Sequence, residues 1–328
     1  MHSKKEQKIA VFGCSHWHMP LYLESIKKHS VCGISDPDAD CRRNLAGLLS
    51  CGSYASPEEL LSKTRPDFAF CFAPHNEMPE LARLMIKNRI PFSIEKPLGT
   101  HAGQIESLIQ LNKTYHTYCS VPFIWHCSPL LELLKNEIAP EDILHMDFSF
   151  IAGPPDRYLG TSPWMLHAET SGGGCMTNLG VHFIDLALTL TGAPTADVLA
   201  SRFHYADKDI DVETHAIALL QMGTASVTIE TGYSYPMYQS GKRINRWAIT
   251  TRNGMYIIEN GQLEIRIFGK PPRIFSMDTD SDTYYAAYAD KCLSDSLYSL
   301  PPASGLSSML NVRRILDHIN RKAGEQKI

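Results

Sequence analysis

A chain of 328 residues with 44% hydrophobic and 20% charged side chains has the material for about two domains with substantial cores. Its formal net charge of -4, without any extended run of Lys or Arg, argues against a nucleic-acid or membrane-surface partner. No apolar stretch approaches the roughly 20 residues of a membrane span, and MHSKKEQK leads directly into a strand without a signal segment, so a cytoplasmic location is expected.

In chain order, the first 120 or so residues alternate strand and helix. KIAVFG is a strand, a helix follows with Met19, Tyr22, Leu23 and Ile26 on one face, and SVCGISD is the next strand. The alternation continues through DFAFCFAP, NEMPELARLMIKN, IPFSIE, HAGQIESLIQLNKTY and TYCSVPF. Strands as uniformly apolar as DFAFCF suit a parallel sheet covered on both faces. This is a Rossmann-type, doubly wound α/β domain, expected over residues 1–123.

Residues 124–328 read as a second, α+β domain. A helix near SPLLELLKNEI precedes the strand ILHMDFSFIAG, a Pro- and Gly-rich loop, and a helical run from Gly174 to Thr191. From Thr195 strands dominate: ADVLASRFHY, ETHAIALLQM, ASVTIETGY, RWAITTR, MYIIEN and LEIRIF. Asn253-Gly254 and Asn260-Gly261 are hairpin signals, which predict a large, mostly antiparallel sheet. An amphipathic helix over 305–322, with Met309, Val312, Ile315 and Ile319 on one side, ends the chain and can pack back on the first domain.

The turn after the first strand, VFGCSHWHMPLY, is where a dinucleotide pyrophosphate would sit. The three glycine positions of such a turn read Gly13, Ser15 and His18. Ser15 is small and offers a hydroxyl to a phosphate; Pro20 suits the first helical turn. His16 and Trp17 are expected to border the cofactor. Asp36, 23 residues after Gly13, is placed to receive ribose hydroxyls and to repel the extra phosphate of NADP. NAD is therefore the expected cofactor, with Arg42 and Arg43 leaving NADP open. The structural alternative for Asp36 is a cap on the helix that follows Pro37. Ala73, Pro74, His75 and Asn76 should border the nicotinamide ribose. The nine cysteines form no CxxC pair and read as reduced thiols. Cys14, His16 and His18 lack the companions of a metal site, so no metal is expected.

Two blocks carry a wider likeness. EKPLGT, with Glu95, Lys96 and Pro97 at a strand end, resembles the signature of the Gfo/Idh/MocA oxidoreductases, and GGGCMTNLGVHFIDL, Gly172 to Leu186, resembles that family's GGGxxxDxGxHxxD helix. The resemblance implies hydride transfer between a nicotinamide and a hydroxyl or keto carbon of a sugar, cyclitol or related molecule. It also implies a homodimer or homotetramer built through the C-terminal sheet.

Alcohol oxidation needs a group that takes the hydroxyl proton. Lys96, at a strand end, is the candidate base or polarising group, with a cis bond to Pro97 as a positioning device. Asn178, His182 and Asp185 fall on one helix face, with His182 the proton carrier and Asp185 a structural partner. Asn178 departs from the aspartate of many relatives; an amide accepts no proton and can only orient its neighbours. Trp125, Arg157, Tyr158, Trp164 and His167 are the candidate substrate contacts, with His126 beside them. Two other readings remain open: a non-catalytic nucleotide or sugar sensor, and an NAD-assisted glycoside-cleaving enzyme.

Overall fold

The structure, a computed structural model, describes residues 7–205, 210–236 and 243–325. Residues 1–6, where the lack of a signal segment is read from the sequence, lie outside the described residues. The chain forms two compact units, one of the residues up to Pro122 with Tyr285–Met309, the other of Phe123–Tyr284 with the residues from Leu310 on.

In the first unit β1 (Lys8–Phe12), α1 (Met19–Ile26), β2 (Ser30–Ser35), α2 (Ala39–Leu49), β3 (Gly52–Tyr54), α3 (Pro57–Lys63), β4 (Phe68–Cys71), α4 (Met78–Lys87), β5 (Phe92–Ile94), α5 (Ala102–Tyr115) and β6 (Cys119–Ser120) follow one another. The strands lie in the order β3-β2-β1-β4-β5-β6, all parallel. The order reverses between β1 and β4, so the crevice beyond their C-terminal ends is the ligand side of the sheet. Phe68, Ala69, Phe70 and Cys71 are all buried, as an apolar strand between two helical layers must be. The sequence reading passes over β3 and α3, because a three-residue strand and a seven-residue helix are too short for periodicity to register.

The second unit begins with α6 (Pro129–Glu137), β7 (Ile143–Ala152), α7 (Ala168–Ser171) and α8 (Val181–Thr191), the last preceded by a π-helical turn over Met176–Gly180. Then come β8 (Asp197–His204), β9 (His215–Met222), β10 (Ala225–Gly232), β11 (Arg243–Thr251), β12 (Gly254–Glu259), β13 (Gln262–Ile267) and β14 (Arg273–Ser276). Their order is β14-β13-β12-β11-β7-β10-β9-β8, antiparallel except for the β7–β10 pair. One face buries Met146, Phe148, Ala218, Leu220, Val227, Ile229 and Trp247, with Phe183 of α8 stacked 5.2 Å from Phe148. Asn260 and Gly261, both at positive φ, form the two-residue loop between β12 and β13. At the other hairpin the loop is Arg252-Asn253, and Gly254 already pairs with Thr251.

Two helices close the chain, α9 (Tyr285–Leu297) and α10 (Leu306–Gly324). The apolar stripe of α10 is fully buried at Met309, Val312, Ile315 and Ile319. Residues 285–309, beyond the division expected at 123, go with the first unit. There α9 lies against α1, with Ser25 Oγ and Lys28 Nζ both bonded to Asp290 and Tyr288 Oη bonded to Ser93 and Ser120. Among the described residues no helix is long and apolar enough to cross a membrane.

Candidate functional site

The nucleotide side of the first unit starts at Gly13, whose φ of +80° and place against β4 both demand glycine: a Cβ there would lie 1.8 Å from the Phe72 carbonyl oxygen. The chain then turns so that Ser15 N–H and Ser15 Oγ both donate to Asp36 Oδ2, each at 2.8 Å. The Ser15 hydroxyl, expected on a phosphate, is thus spent on the carboxylate at the end of β2. Asp36 Oδ1 accepts the Asp38 N–H at 2.8 Å. The cap of α2 is Asp38, which accepts from Asp40 N and Cys41 N, so the capping alternative for Asp36 moves two residues on. Asp36 is 2% exposed and three of its four acceptor directions are used. Arg42 bonds the Asp36 and Pro37 carbonyls and Arg43 the Asp40 carboxylate.

His18, at the third glycine position, is accommodated because its ring is buried: Nδ1 lies 3.0 Å from Glu95 Oε2 and Nε2 3.3 Å from Tyr285 Oη. Tyr22 Oη donates to Glu95 Oε1 at 2.7 Å, and His16 Nδ1 accepts the His18 N–H at 3.1 Å. Burial raises the pKa of Glu95, with the nearby charges of His16 and Lys96 opposing it; burial lowers His16 to about 3, helped by the charge of His18. Glu95 is therefore the hub of a buried polar cluster directly behind Lys96. Lys96 itself is 3% exposed at the C-terminal end of β5, and its bond to Pro97 is cis. Trp17, Ala73 and Pro74 are half-buried; His75 is buried and Asn76 exposed.

In the second unit the glycine run closes around Glu213. Its carboxylate accepts the N–H groups of Gly174 at 2.7 Å and Met176 at 3.0 Å, and its backbone carbonyl accepts Cys175 N–H at 3.0 Å. A Cβ on Gly174 would lie 2.0 Å from the Glu213 carbonyl oxygen, which is why a glycine stands there. So anchored, the π turn presents Asn178, whose amide donates to Tyr158 Oη at 2.8 Å and Tyr233 Oη at 3.2 Å. Arg157 Nη2 donates to Tyr158 Oη at 2.5 Å, with its guanidinium over both phenol rings. Burial raises both phenols and keeps them protonated. One turn on, His182 is half-buried and edge-on to Phe123, and the next polar residue of that face, Asp185, pairs with His126 at 2.8 Å.

The structure thus brings Arg157, Tyr158 and Asn178 together and adds Tyr233, for which no local pattern gives a signal. Glu213 is likewise outside the sequence reading, since a carboxylate distant in sequence and bonded to backbone leaves no trace in spacing. Trp125 is 2% exposed, edge-on to Trp247 at 4.5 Å and near Tyr284, packed among core rings. Trp164 is half-buried in the turn Pro163–Leu166, and His167 is exposed at the start of α7.

Among the described residues no group of three or more His, Cys, Asp or Glu is placed to hold a metal ion. The first unit fits a dinucleotide, with its Cβ-free turn at Gly13, the N-terminus of α1 behind it and an acidic residue ending β2.

Comparison with known proteins agrees. Residues 7–123 match the description "Oxidoreductase family, NAD-binding Rossmann fold", and residues 141–257 match "GFO/IDH/MocA C-terminal domain". Among solved structures, GenD2 from gentamicin A biosynthesis in complex with NAD is similar with a TM-score of 0.85 and 16% identity, over 100% of this chain and 97% of that one. An oxidoreductase from Agrobacterium radiobacter in complex with NAD+, L-tartaric acid and magnesium has a TM-score of 0.85 and 14% identity, over 98% of each chain. UDP-N-acetylglucosamine 3-dehydrogenase GnnA from Acidithiobacillus ferrooxidans has a TM-score of 0.81 and 17% identity, over 98% of this chain and 99% of that one. The comparison with curated proteins finds no match. With both halves matched in order, the chain belongs to the Gfo/Idh/MocA oxidoreductases and carries their NAD-binding Rossmann domain.

Proposed function

We propose that this NAD-dependent oxidoreductase acts on a hydroxyl-bearing carbon of a polyhydroxylated, sugar-like small molecule. The observation that carries the substrate class is the Arg157–Tyr158–Asn178–Tyr233 cluster, in which a guanidinium, two phenols and an amide are locked by mutual hydrogen bonds. Groups of that kind suit a ring bearing several hydroxyls, each of which both donates and accepts. The likeness to a UDP-N-acetylglucosamine 3-dehydrogenase and to a protein of gentamicin A biosynthesis points the same way.

For the cofactor, Gly13, Ser15, His16 and Trp17 are the proposed lining of the pyrophosphate turn. Asp36, with one acceptor direction left, receives a ribose hydroxyl; Ala73, Pro74, His75, Glu95 and Pro97 complete that side. Bound NAD supplies the hydride acceptor. Lys96 holds or takes the hydroxyl proton of the substrate, and Glu95 behind it sets the position of the ammonium. His182 carries the proton onward. Asn178, a donor to two phenols, orients Tyr158 and Tyr233 and moves no proton itself. Arg157, Trp164 and His167 are the remaining proposed contacts. Self-association is assigned to the open face of the eight-stranded sheet, where Ile217 and Ile244 are exposed.

A panel of sugars, cyclitols and polyols followed by NADH absorbance tests this reading. Turnover of at least one such compound is expected, and Lys96→Ala should lower kcat by about 100- to 10,000-fold, the usual worth of a general acid or base, while NAD affinity stays within a few fold. Tight NAD binding with no turnover across the panel would favour a sensor, and full activity of the lysine variant would remove Lys96 from the mechanism.

A further inference from the structure

Inside the first unit, Cys14 and Cys41 meet with their sulfurs 3.3 Å apart. Cys14 stands in the turn between Gly13 and Ser15, and Cys41 lies in the first turn of α2. Nine cysteines are free, and this is a pair in side-chain contact between two segments that both adjoin Asp36. The turn has little slack, since Gly13 is pressed against Phe72 on one side and Ser15 is held to Asp36 by two bonds on the other.

We propose that Cys14 and Cys41 form a reversible disulfide that weakens NAD binding, a modification site that goes beyond the catalytic reading above. The co-substrate class is a hydroperoxide. Cys41 is half-buried where Cys14 is 4% exposed, so the Cys41 thiolate attacks the O–O bond, giving a sulfenic acid and releasing an alcohol, or water from hydrogen peroxide. Cys14 then loses its proton and attacks the Cys41 sulfur, displacing hydroxide, which leaves with that proton as water. Two thiols and one hydroperoxide yield one disulfide, one alcohol and one water; each sulfur loses one electron and the peroxide gains two.

Burial raises the pKa of both thiols, that of Cys14 further, while an S–H directed from Cys14 favours the thiolate of Cys41. The first attack is therefore slow at neutral pH and faster in mild base, and the second is favoured by proximity. Bond formation draws the sulfurs together by about 1.3 Å, from 3.3 Å to the ordinary ~2.05 Å of a disulfide. That displacement is shared by the first turn of α2 and the turn that holds Cys14 between Gly13 and Ser15, and a shift beyond the ~0.5 Å tolerance of a binding site weakens the ligand.

The test uses the full chain, treated with hydrogen peroxide in mild base and digested without reductant, with NAD binding measured by calorimetry before oxidation, after it, and after a reducing thiol. The expected result is a peptide pair joined through Cys14 and Cys41, NAD affinity lowered about tenfold (~1.4 kcal/mol), and recovery on reduction. Cys41→Ser should form no such pair and keep its NAD affinity under peroxide. The proposal is overturned if no Cys14–Cys41 link forms, if the link forms without a change in affinity, if reduction fails to restore binding, or if the serine variant loses affinity as the native chain does. Affinity of the untreated protein reports on the NAD site itself and separates the two readings.

Discussion

At the scale of single residues, His16 shows how burial sets charge. Its imidazole is 5% exposed and accepts a backbone N–H through Nδ1, and burial lowers its pKa from 6.5 to about 3. The unfolded chain therefore binds a proton between those values that the folded chain refuses. The stability tied to the neutral ring is complete above pH 6.5 and is lost as pH falls toward 3. The thermal midpoint should drop across that window, and His16→Asn, whose amide oxygen can replace Nδ1 as acceptor, should flatten the drop. Glu95, whose raised pKa slopes the opposite way, is coupled to His16, so the difference between the two proteins reports His16 together with that coupling. Asn178 illustrates polarity at the same scale. An amide donor satisfies two phenol oxygens that a carboxylate could only accept from, so the departure from aspartate reverses the direction of hydrogen bonding in the cluster.

At the scale of elements, the π turn and α8 depend on an anchor that lies in another segment. Glu213 supplies three acceptor contacts to Gly174, Cys175 and Met176, in the manner of a cap but from 35 or more residues away. Glu213→Ala leaves two buried N–H groups without their acceptor, a cost of about 1–3 kcal/mol for each. We expect a lower thermal midpoint and a fall in kcat/KM for substrate, because Asn178 and His182 lose their fixed position, while NAD affinity, a property of the first unit, stays unchanged. Glu213→Gln keeps one acceptor oxygen and should recover part of the loss. Equal damage to NAD affinity would show that Glu213 acts on the whole chain rather than on this helix.

At the scale of the whole molecule, the first unit is discontinuous. The face of α1 that carries Tyr22 and Ser25 is covered by α9, through Tyr285, Tyr288 and Asp290, which are more than 250 residues distant in sequence. A chain ended at Pro122 should therefore fail to unfold cooperatively in circular dichroism melts, whereas joining 285–309 to it should restore a transition; a cooperative melt of the short form would show that α9 is dispensable. The open face of the large sheet is the proposed seat of self-association. Ile217 pairs with Glu230 in the ladder, and Ile244 shares the face that Arg246 presents beside Ser149. Light scattering should report an oligomer for the native chain and a smaller species for Ile217→Asp.

Local patterns were enough for much of this protein. Apolar runs bounded by turn residues specify the parallel sheet, period-two alternation specifies the larger sheet, and the EKP and GGG blocks identify the family, because each of these signals lies within a few consecutive residues. The hydroxyl of Ser15 going to Asp36, the fit of His18 against Glu95, the core position of Trp125, the phenol of Tyr233 beside Asn178, the anchor at Glu213 and the return of α9 to the first unit were decided only in three dimensions. Each is a pairing of side chains or elements far apart in sequence, where burial and hydrogen-bond satisfaction choose the partner and periodicity carries no information.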